Sequence, residues 1–599
     1  MPELHFKGKE FVYNHHLTVP YRPLEPKAKK SIGKPSLNGN LIIQGDNLHA
    51  LKALMPLYAG KVDCVFIDPP YNTGNENWAY NDNVNSPMMR EWLSTNPVNK
   101  EDMLRHDKWL ALMYPRIKLL HELLSDTGSF WMTLDDNEIH RARSILDEIF
   151  GEENFVATVI WHKNYSPKPS AQFFSEDHDY LLIYAKDKAV WRPNLLERTE
   201  DMDARYDNPD KDKRGAWKPG DLSARNYYSE GTYPITCPSG RVIDGPPSGR
   251  YWVVNETKFH EWDKDKRIWW GEDGNNIPSI KRFLTDVKQG RVPQTLWEYD
   301  DVGHTQDAKK EVLAILNFEN SDDVFITPKP TALLARVLEL ATQPTSIVLD
   351  SFAGSGTTAH AVLSANQKDG GDRKFILVEC EDYADKLTAE RVRRVIKGYE
   401  FTGNQKEELL REKINFTSLK KADELLHKID GIENLEKHRF DTISKTVKDG
   451  VLIVSGERAV KERTEGLGGS FTYCTLGDPL DLDKLLKGEN LPTYEALGAW
   501  AFHTATGEAF NPKAMNEANW FLGESAGYFV WLVYAPDLNF LKSKEAALTL
   551  NLAEKITKAK KGKRHLVFAP AKFVPNKTLL PMGVEFAPLP FSLYRVEKA

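Results

Sequence analysis

The sequence contains little cysteine and no long apolar run. Its 599 residues include four cysteines, which lie far apart and match no metal-binding spacing. Isolated thiols of this kind are typical of proteins in a reducing compartment. No run of about 18 apolar residues occurs, so no transmembrane helix is expected, and the first residues lack the apolar core of a signal peptide. We therefore expect a cytoplasmic protein.

The sequence also lacks an excess of positive charge. Its 79 lysine and arginine residues are outnumbered by 86 aspartate and glutamate residues, which gives a formal net charge of −7. This balance neither indicates nor excludes nucleic-acid binding, because binding depends on a local basic patch.

A phosphate-binding P-loop is missing as well. The glycine-rich segment FAGSGTT at 352–358 carries no lysine, and in SIGKPS at 31–36 proline follows the lysine directly. A P-loop needs Gly-Lys-Ser/Thr at its end to hold a polyphosphate. The chain therefore shows no ATPase signature.

What the sequence does contain is a set of short apolar strands that alternate with amphipathic helices. The pattern occupies two stretches, 40–188 and 311–400. Such alternation predicts an α/β fold with a parallel sheet covered by helices on both faces. Between the two stretches, residues 189–310 are rich in Gly, Pro, Trp, Tyr and Arg, which indicates an irregular inserted domain.

The remaining segments flank this pattern. Residues 1–39 are polar and contain proline, so we expect an arm over the surface. Residues 401–449 are charged and carry an apolar stripe at helical spacing, which predicts a charged helical connector. Residues 450–599 contain strands of their own, which predicts a C-terminal accessory domain with a small core.

A glycine-rich turn follows one of the predicted strands in SIVLDSFAGSGTTAHAVL. The backbone N–H groups of such a turn can approach a ligand at the start of the next helix, although one glycine loop can also be a packing turn. The following strand ends at Glu379, roughly 20 residues on, where nucleoside-binding sheets hold the ribose diol. Together the loop and the acid predict a nucleoside ligand without a polyphosphate.

A second motif, Asp-Pro-Pro-Tyr, ends the apolar strand CVFI at residues 68–71. Two consecutive prolines fix the backbone, which suits a carbonyl and side chains that must be held still for a ligand. Asp68 and Asp350 both stand where a strand of the predicted parallel sheet ends, at the edge where ligands bind. A turn-forming role for Asp68 and core packing for Tyr71 are the alternatives.

The two motifs resemble those of amino-group DNA methyltransferases of the beta class, in which the catalytic motif precedes the cofactor motif. Segments such as GDNLHALKAL, FGEENFVATVIWHK and PKPTALL are similar to the Mod (modification) subunits of type III restriction–modification systems, over roughly residues 40–400. The resemblance implies a permuted Rossmann-like fold that uses S-adenosylmethionine, with an inserted target-recognition domain and a small C-terminal α/β domain. It further implies methylation of adenine N6 in double-stranded DNA after base flipping.

The chemistry suits the residues of the first motif. The Asp68 carboxylate and the Pro69 carbonyl can accept hydrogen bonds from an exocyclic amine, while Pro70 holds the turn and Tyr71 stacks on the base. Cytosine-C5 enzymes need a cysteine, usually in a Pro-Cys pair, and this chain contains no such pair. Cytosine-N4 methylation uses the same pocket and stays open as an alternative, as does a catalytically silent DNA-binding subunit.

The resemblance also assigns a set of cofactor-binding residues. They are Asp46, Lys329, Asp350, Phe352, Gly354, Gly356, Thr357 and Glu379. Asp46 and Asp350 stand at strand ends, and either could instead cap a helix. The 16 histidines form no cluster that demands a metal.

DNA contacts are expected mainly from the insert, where basic and aromatic residues interleave. The candidates are Trp161, Arg225, Tyr228, Arg250, Arg267 and Lys281. Core packing is the competing role for the tryptophans. The resemblance implies a homodimer in the bacterial or archaeal cytoplasm, nucleoid-associated when bound to DNA, with a separate ATP-dependent restriction subunit as a possible partner. A solitary methylase or another phage-defence system would fit the same sequence.

Overall fold

The computed structural model describes residues 3–73, 104–287, 290–316, 327–414, 422–448, 451–480 and 491–589. The chain divides into two compact units. One unit consists of Met1–Arg192 and Gln294–Ala599, and the other consists of Pro193–Pro293.

The first unit is built on a ten-stranded sheet. The strands, from one edge to the other, are Leu24–Pro26, Thr472–Leu476, Leu41–Gln44, Lys374–Glu379, Ile347–Asp350, Val62–Ile67, Leu124–Leu134, His178–Ala185, Phe155–His162 and Leu296–Trp297. The α/β prediction is confirmed.

The sheet is mixed, whereas the alternating pattern predicted a parallel sheet. The central strands are parallel, but His178–Ala185 runs antiparallel to both of its neighbours. No helix separates Phe155–His162 from His178–Ala185 in the chain. Such a direct connection returns the chain in the opposite direction, because parallel neighbours need a crossover.

Helices fill the connections between the parallel strands. Among the described residues of this unit, the helices are Lys9–Val12, His15–Thr18, Asn47–Tyr58, Arg105–Leu123, Ile139–Phe150, Tyr299–Val302, Thr305–Leu316, Thr331–Ala341, Thr357–Asp369, Glu390–Lys397, Ala422–Glu436, Tyr494–Thr506, Leu538–Leu541, Leu550–Ala559 and Asn576–Leu579. Within the described ranges, no helix is long and apolar enough to cross a lipid bilayer.

The prediction of a helical connector over 401–449 was wrong for most of that stretch. Gly398–Lys413 is a strand, and it pairs with Val451–Glu465, which also pairs with Thr442–Lys448. Among the described residues of this stretch, only Ala422–Glu436 is helical. The partner strand lies beyond the predicted connector, so its pairing is invisible to a local periodicity and overrides the local helical pattern.

The expected surface arm at 1–39 contributes to the main sheet. Leu24–Pro26 pairs antiparallel with Thr472–Leu476, which in turn pairs parallel with Leu41–Gln44. Val12 and Val19 are buried against the same core. The strand at 472–476 therefore belongs to the main sheet, although the sequence pattern assigned it to the accessory domain.

The C-terminal region has a four-stranded sheet and packs on the rest of the unit. Its strands are Phe521–Glu524, Tyr528–Leu532, Arg564–Ala569 and Val584–Pro588. One face buries a separate core that includes Trp531 and Val567. The helix Tyr494–Thr506 lies against Asn47–Tyr58 and shares the main core through Leu497.

The second unit, Pro193–Pro293, has a small core of its own. The core residues are Leu222, Ile235, Cys237, Trp252, Phe259, Ile268 and Trp270. Around them lie the helices Glu200–Asp203 and Glu256–Lys264 and the strands Trp217–Asp221, Ser223–Ala224, Ile235–Thr236, Val242–Ile243, Tyr251–Trp252, Ile268–Trp269 and Ser279–Phe283. The unit ends before residue 310, because Leu296–Trp297 joins the main sheet beside Phe155–His162.

A substitution at Leu497 tests whether the helix Tyr494–Thr506 is part of the main core. Its side chain is fully buried, so Leu497→Ala should lower the free energy of unfolding by about 2–5 kcal/mol through lost contacts and a cavity. Urea unfolding measures this change. Leu550→Ala is the matched control, because Leu550 is 45% exposed and its loss should change stability by no more than about 0.5 kcal/mol. Equal effects of the two changes would contradict the shared core.

Candidate functional site

Three carboxyl groups meet at one edge of the main sheet. Asp350 and Glu379 are the last residues of neighbouring parallel strands, and Asp68 directly follows the strand on the other side of Asp350. Because parallel strands end at the same edge, the three side chains converge there. The structure thus brings together the Asp-Pro-Pro-Tyr turn and the glycine loop, which are far apart in the chain.

Lys329 connects the two motifs. Its Nζ donates a hydrogen bond to Asp68 Oδ2 at 2.5 Å. Its backbone carbonyl accepts one from Thr357 Oγ1 at 3.1 Å, at the start of the helix after the glycine loop. The same ammonium lies 5.1 Å from the centroid of the Tyr71 ring, within the range of a cation–π contact. One residue therefore holds both motifs at a common site.

The backbone of the Asp-Pro-Pro-Tyr turn is fixed by its surroundings. Thr133 Oγ1 donates to Asp68 Oδ1 at 2.5 Å, and Trp109 Nε1 donates to the Pro70 carbonyl at 2.7 Å. No donor among the described residues reaches the Pro69 carbonyl. The turn therefore presents a carboxylate and a carbonyl side by side as acceptors.

Tyr71 is oriented by a carboxylate on the strand His178–Ala185. Its hydroxyl donates to Asp179 Oδ2 at 3.2 Å, and Asp179 Oδ1 accepts from Lys163 Nζ at 2.5 Å. Burial and the charges of Asp179 and Asp68 raise the pKa of Tyr71 well above that of a free phenol. The ring therefore stays neutral and keeps a fixed position beside Asp68.

Asp179 is a functional candidate that the sequence reasoning missed. Asp179 lies in the segment HDYLL at 178–182, whose strand pattern alone does not reveal that this residue contacts Tyr71. The missed residues Thr133 and Trp109 come from a strand and a helix whose patterns indicate only burial. Their polar contacts with the turn arise from tertiary packing.

Glu379 forms the opposite side of the site. Its carboxylate accepts the Gly354 amide at 2.7 Å and the Glu381 amide at 3.1 Å. Burial raises the pKa of Glu379 above its ordinary value. The Cys380 amide and the Tyr383 hydroxyl also donate to this carboxylate.

The glycine loop depends on two residues in the left-handed region of backbone space. Gly354 has φ of 49° and Gly356 has φ of 79°. A Cβ atom at Gly356 would lie 3.1 Å from the Thr388 carbonyl oxygen, so a side chain there would be strained and crowded. Thr388 Oγ1 also donates to the Gly354 carbonyl at 2.5 Å. The loop is therefore held close to the following segment.

A buried polar network supports the loop from below. Arg391 is fully buried and donates to Ser355 Oγ and Thr357 Oγ1, each at 2.9 Å. Glu311 Oε1 lies 3.6 Å from Arg391 and 3.2 Å from His360. Although burial works against it, the hydrogen bond from His360 and the charge of Arg391 lower the pKa of Glu311 to about 2. No spacing in the sequence indicates this network.

Asp46 and Asp350 both accept hydrogen bonds from within the protein. Helix capping was the predicted alternative to a contact with the cofactor. Asp46 caps the helix Asn47–Tyr58 by accepting the amides of Leu48 and His49 at 2.9 and 3.2 Å. Asp350 accepts the Phe352 amide at 3.0 Å and the Thr358 hydroxyl at 2.6 Å. Their contacts with a cofactor stay predictions.

Asp350 also carries an unusual charge environment. Burial, together with the nearby charges of Asp68 and Glu379, raises the pKa of its carboxyl to about 7. The edge of the sheet therefore holds closely spaced acids that repel one another. A positively charged ligand group at this edge would relieve that repulsion.

Four of the predicted DNA-contacting residues lie at least partly exposed on the second unit. Arg225 is exposed, and Tyr228 donates to Glu230 at 3.2 Å. Arg250 lies 3.3 Å from Asp221. Arg267 pairs with two acids, Asp265 at 2.9 Å and Asp286 at 2.8 Å. Of these four residues, Arg225 is thus the most exposed.

The other two residues predicted to contact DNA are buried in the structure. Trp161 has no exposed surface, and its Nε1 donates to the Gly303 carbonyl at 3.0 Å. Lys281 is 3% exposed and is paired with Asp210 and Asp212. Both side chains are occupied in the interior of their units. Among the residues with assigned positions, no group of three or more His, Cys, Asp or Glu side chains could hold a metal ion.

A family comparison shows the class of protein to which this fold belongs. The model of the DNA methylase family matches residues 62–390, which is more than half of the chain. The matched region contains both motifs and Lys329. The chain therefore belongs to the DNA methylase family.

The curated relatives of this chain include Mod subunits and a type II methyltransferase. The chain is similar to the StyLTI Mod subunit of a type III restriction-modification enzyme of Salmonella typhimurium, with 36% identity over 350 residues, covering 56% of this chain and 52% of that protein. It is 28% identical to the EcoPI Mod subunit of Escherichia phage P1, covering 67% and 68% of the two chains. It is 31% identical to the type II methyltransferase M.KpnI of Klebsiella pneumoniae, covering 58% and 82%. The chain thus matches about half the length of the Salmonella protein.

Solved structures also resemble the chain. The complex of M1.HpyAVI with SAM aligns with 17% identity and a TM-score of 0.27, covering 59% of this chain and 98% of that one. The PvuII DNA methyltransferase (cytosine-N4-specific) aligns with 14% identity and a TM-score of 0.30, covering 59% and 86%.

The raised pKa of Asp350 leads to a prediction about stability and pH. Because an unfolded aspartate has a pKa of about 3.9, the folded protein binds more protons than the unfolded chain between about pH 4 and pH 7. The contribution of Asp350 is therefore fully present below about pH 4 and is lost as the pH rises through about 7. Asp350→Asn removes this titration and keeps an oxygen for the Phe352 amide.

We therefore expect the free energy of unfolding of D350N, relative to the wild type, to rise as the pH is raised from about 5 to about 8. Urea unfolding at several pH values measures the difference. Asp372→Asn, at an exposed position, is the matched control and should show no such trend. A constant difference for D350N would contradict the raised pKa.

Proposed function

We propose that this chain is a DNA methyltransferase that transfers a methyl group from S-adenosylmethionine to the N6 amino group of adenine in double-stranded DNA. The observation that carries the proposal is Lys329, whose Nζ binds Asp68 and whose carbonyl accepts from Thr357. A base-binding turn and a cofactor-binding loop thus share one site. Group transfer between two bound molecules needs this proximity.

The residues of the glycine loop suit the proposed cofactor. The loop lacks the lysine that a polyphosphate needs, while Glu379 places a carboxylate at the strand end where nucleoside-binding sheets hold the ribose diol. Phe352 is only partly buried at the same edge and offers a ring face to an adenine. The carboxylates of Asp68 and Asp350 favour a cationic sulfonium. The residues that would hold the cofactor are Lys329, Phe352, Gly354, Gly356, Thr357 and Glu379.

The bound cofactor supplies an electrophilic methyl group, and the chain supplies the geometry around the nucleophile. The exocyclic amine of adenine is a weak nucleophile, because its lone pair is delocalised into the ring. The Asp68 carboxylate and the Pro69 carbonyl accept its two N–H protons and so favour a localised lone pair on nitrogen. Tyr71, fixed by Asp179, stacks on the base and offsets part of the cost of unstacking it.

The role of modification subunit is supported by the relatives named Mod subunits. The second unit, Pro193–Pro293, is the proposed target-recognition domain, with Arg225, Tyr228, Arg250 and Arg267 as DNA contacts. Because the chain has no P-loop, ATP-dependent restriction would require a separate subunit. A homodimer in the cytoplasm completes the proposal.

Asp68→Asn tests the proposed chemistry. The change keeps the size of the side chain and removes the charge that holds the amine, so we expect the rate of methyl transfer to fall roughly 100-fold or more. Methylation-aware sequencing of DNA from cells that express the wild type identifies the modified base and the recognition site. Single-turnover methylation of that site by D68N then measures the loss.

Binding of DNA to D68N, followed by calorimetry, is the control and should be retained. Full activity of D68N would remove Asp68 from the mechanism. Modification of cytosine N4 by the wild type would replace adenine as the substrate and leave the site assignment in place.

Glu379→Gln tests the cofactor assignment. We expect the affinity for S-adenosylmethionine to fall roughly tenfold or more, because a hydrogen bond to a charged group contributes about 1.5–3 kcal/mol. Isothermal titration calorimetry measures the affinity. Glu381→Gln is the matched control, because Glu381 is a nearby exposed acid. Equal affinities of the two variants would count against the ribose contact.

A further inference from the structure

Two adjacent phenylalanines lie unburied on a loop near the proposed active site. Phe173 is 85% exposed and Phe174 is 91% exposed. Aromatic side chains of this size normally bury most of their apolar surface. Two neighbouring rings left in water therefore indicate a surface that acts on a partner.

The loop that carries them has a defined shape. The backbone N–H of Lys163 donates to the Asp177 carbonyl at 2.9 Å, and the N–H of Lys168 donates to Ser175 Oγ at 2.8 Å. Ser175 Oγ also donates to Asp177 Oδ1 at 2.5 Å. These bonds join the two arms of the loop up to the residues next to the phenylalanines, so the rings stand at the tip of a hairpin.

The base of the hairpin is attached to the site. Lys163 Nζ binds Asp179, and Asp179 accepts the hydroxyl of Tyr71. Asp179 follows Phe174 by five positions, so the chain between them spans at most about 18 Å. The two rings are therefore within reach of the strand of DNA from which a base would enter the Tyr71 pocket.

The composition of the tip suits a polyanion. Residues 165–175 contain no acid and one lysine, Lys168. Pro167 and Pro169 restrict the backbone on one arm of the loop. A stiff, neutral to basic hairpin with apolar rings at its end can approach phosphates without repulsion.

We propose that Phe173 and Phe174 form a wedge that enters the DNA base stack beside the target adenine and occupies the space that the extruded base leaves. The inference rests on the proposed function, since only a flipped base leaves such a gap. Apolar side chains that insert between base steps offset the cost of unstacking them. The wedge therefore favours the extruded state, while Asp68 and Tyr71 bind the base once it is out.

The test compares DNA that is hard to open with DNA that is easy to open. One duplex pairs the target adenine normally, and a second places it opposite an abasic site, where the pairing energy is already lost. For F173A/F174A we expect methylation of the paired duplex to slow by roughly tenfold or more, and the defect to shrink on the second duplex. A third duplex, with 2-aminopurine at the target, reports base extrusion by fluorescence, which the variant should lose.

Two variants serve as controls. F173L/F174L keeps apolar side chains that can fill a gap, so it should retain most of the extrusion signal. F573A removes another exposed phenylalanine, at 62% exposure in the C-terminal region, and should behave as the wild type. The affinity of F173A/F174A for S-adenosylmethionine should be unchanged.

Three results would overturn the wedge while the proposed function stands. The first is an equal loss of methylation rate by F173A/F174A on both methylation substrates, and the second is an unchanged 2-aminopurine signal. The third is a changed oligomeric state with normal base extrusion, which would assign the rings to a contact between copies of the chain. If the wild type methylates no DNA, the proposed function fails and the wedge fails with it.

Discussion

The contact between Lys329 and Asp68 is the interaction on which the site depends. It joins residues 261 positions apart in the chain at 2.5 Å, and the carbonyl of the same lysine is tied to Thr357. Breaking a partly buried ion pair leaves an uncompensated charge, so each motif keeps the other in place. The two halves of the active site are thus positioned by a contact between side chains as well as by the sheet.

The rigidity of the glycine loop has a separate origin. Arg391 and Glu311 come from different helices and meet beneath Ser355 and Thr357. Their charges are compensated inside the protein, which favours a network with one arrangement. The loop can therefore present its backbone amides without reorganising, as catalysis by positioning requires.

Much of the site was predictable because it follows strand ends. Asp68, Asp350 and Glu379 each stand where an apolar strand stops, and the rule that parallel strands end at one edge places them together. The supporting contacts were not predictable, since the link of Asp179 to Tyr71 depends on an antiparallel neighbour that the alternating pattern does not specify. The burial of Trp161 was missed for a similar reason, because a motif does not show what lies over a side chain.

The fold was predicted best where local signals and tertiary structure agree. The helix Asn47–Tyr58 has the bounds that its periodicity and the capping Asp46 indicate. Gly398–Lys413 was misread, because its partner strand begins only at Val451. Pairing with a strand so far away in the chain gives no signal in a short window of sequence.

The position of Thr472–Leu476 between Leu24–Pro26 and Leu41–Gln44 sets an order of events during synthesis on the ribosome. Until the chain has been made beyond residue 476, Leu41–Gln44 presents an open backbone edge, although everything that holds the proposed cofactor and target base has already emerged. Open edges pair with strands of other chains. A nascent or prematurely ended chain is therefore most prone to aggregate at the stage when all residues of its proposed active site are already present. The last strand closes the sheet against neighbours.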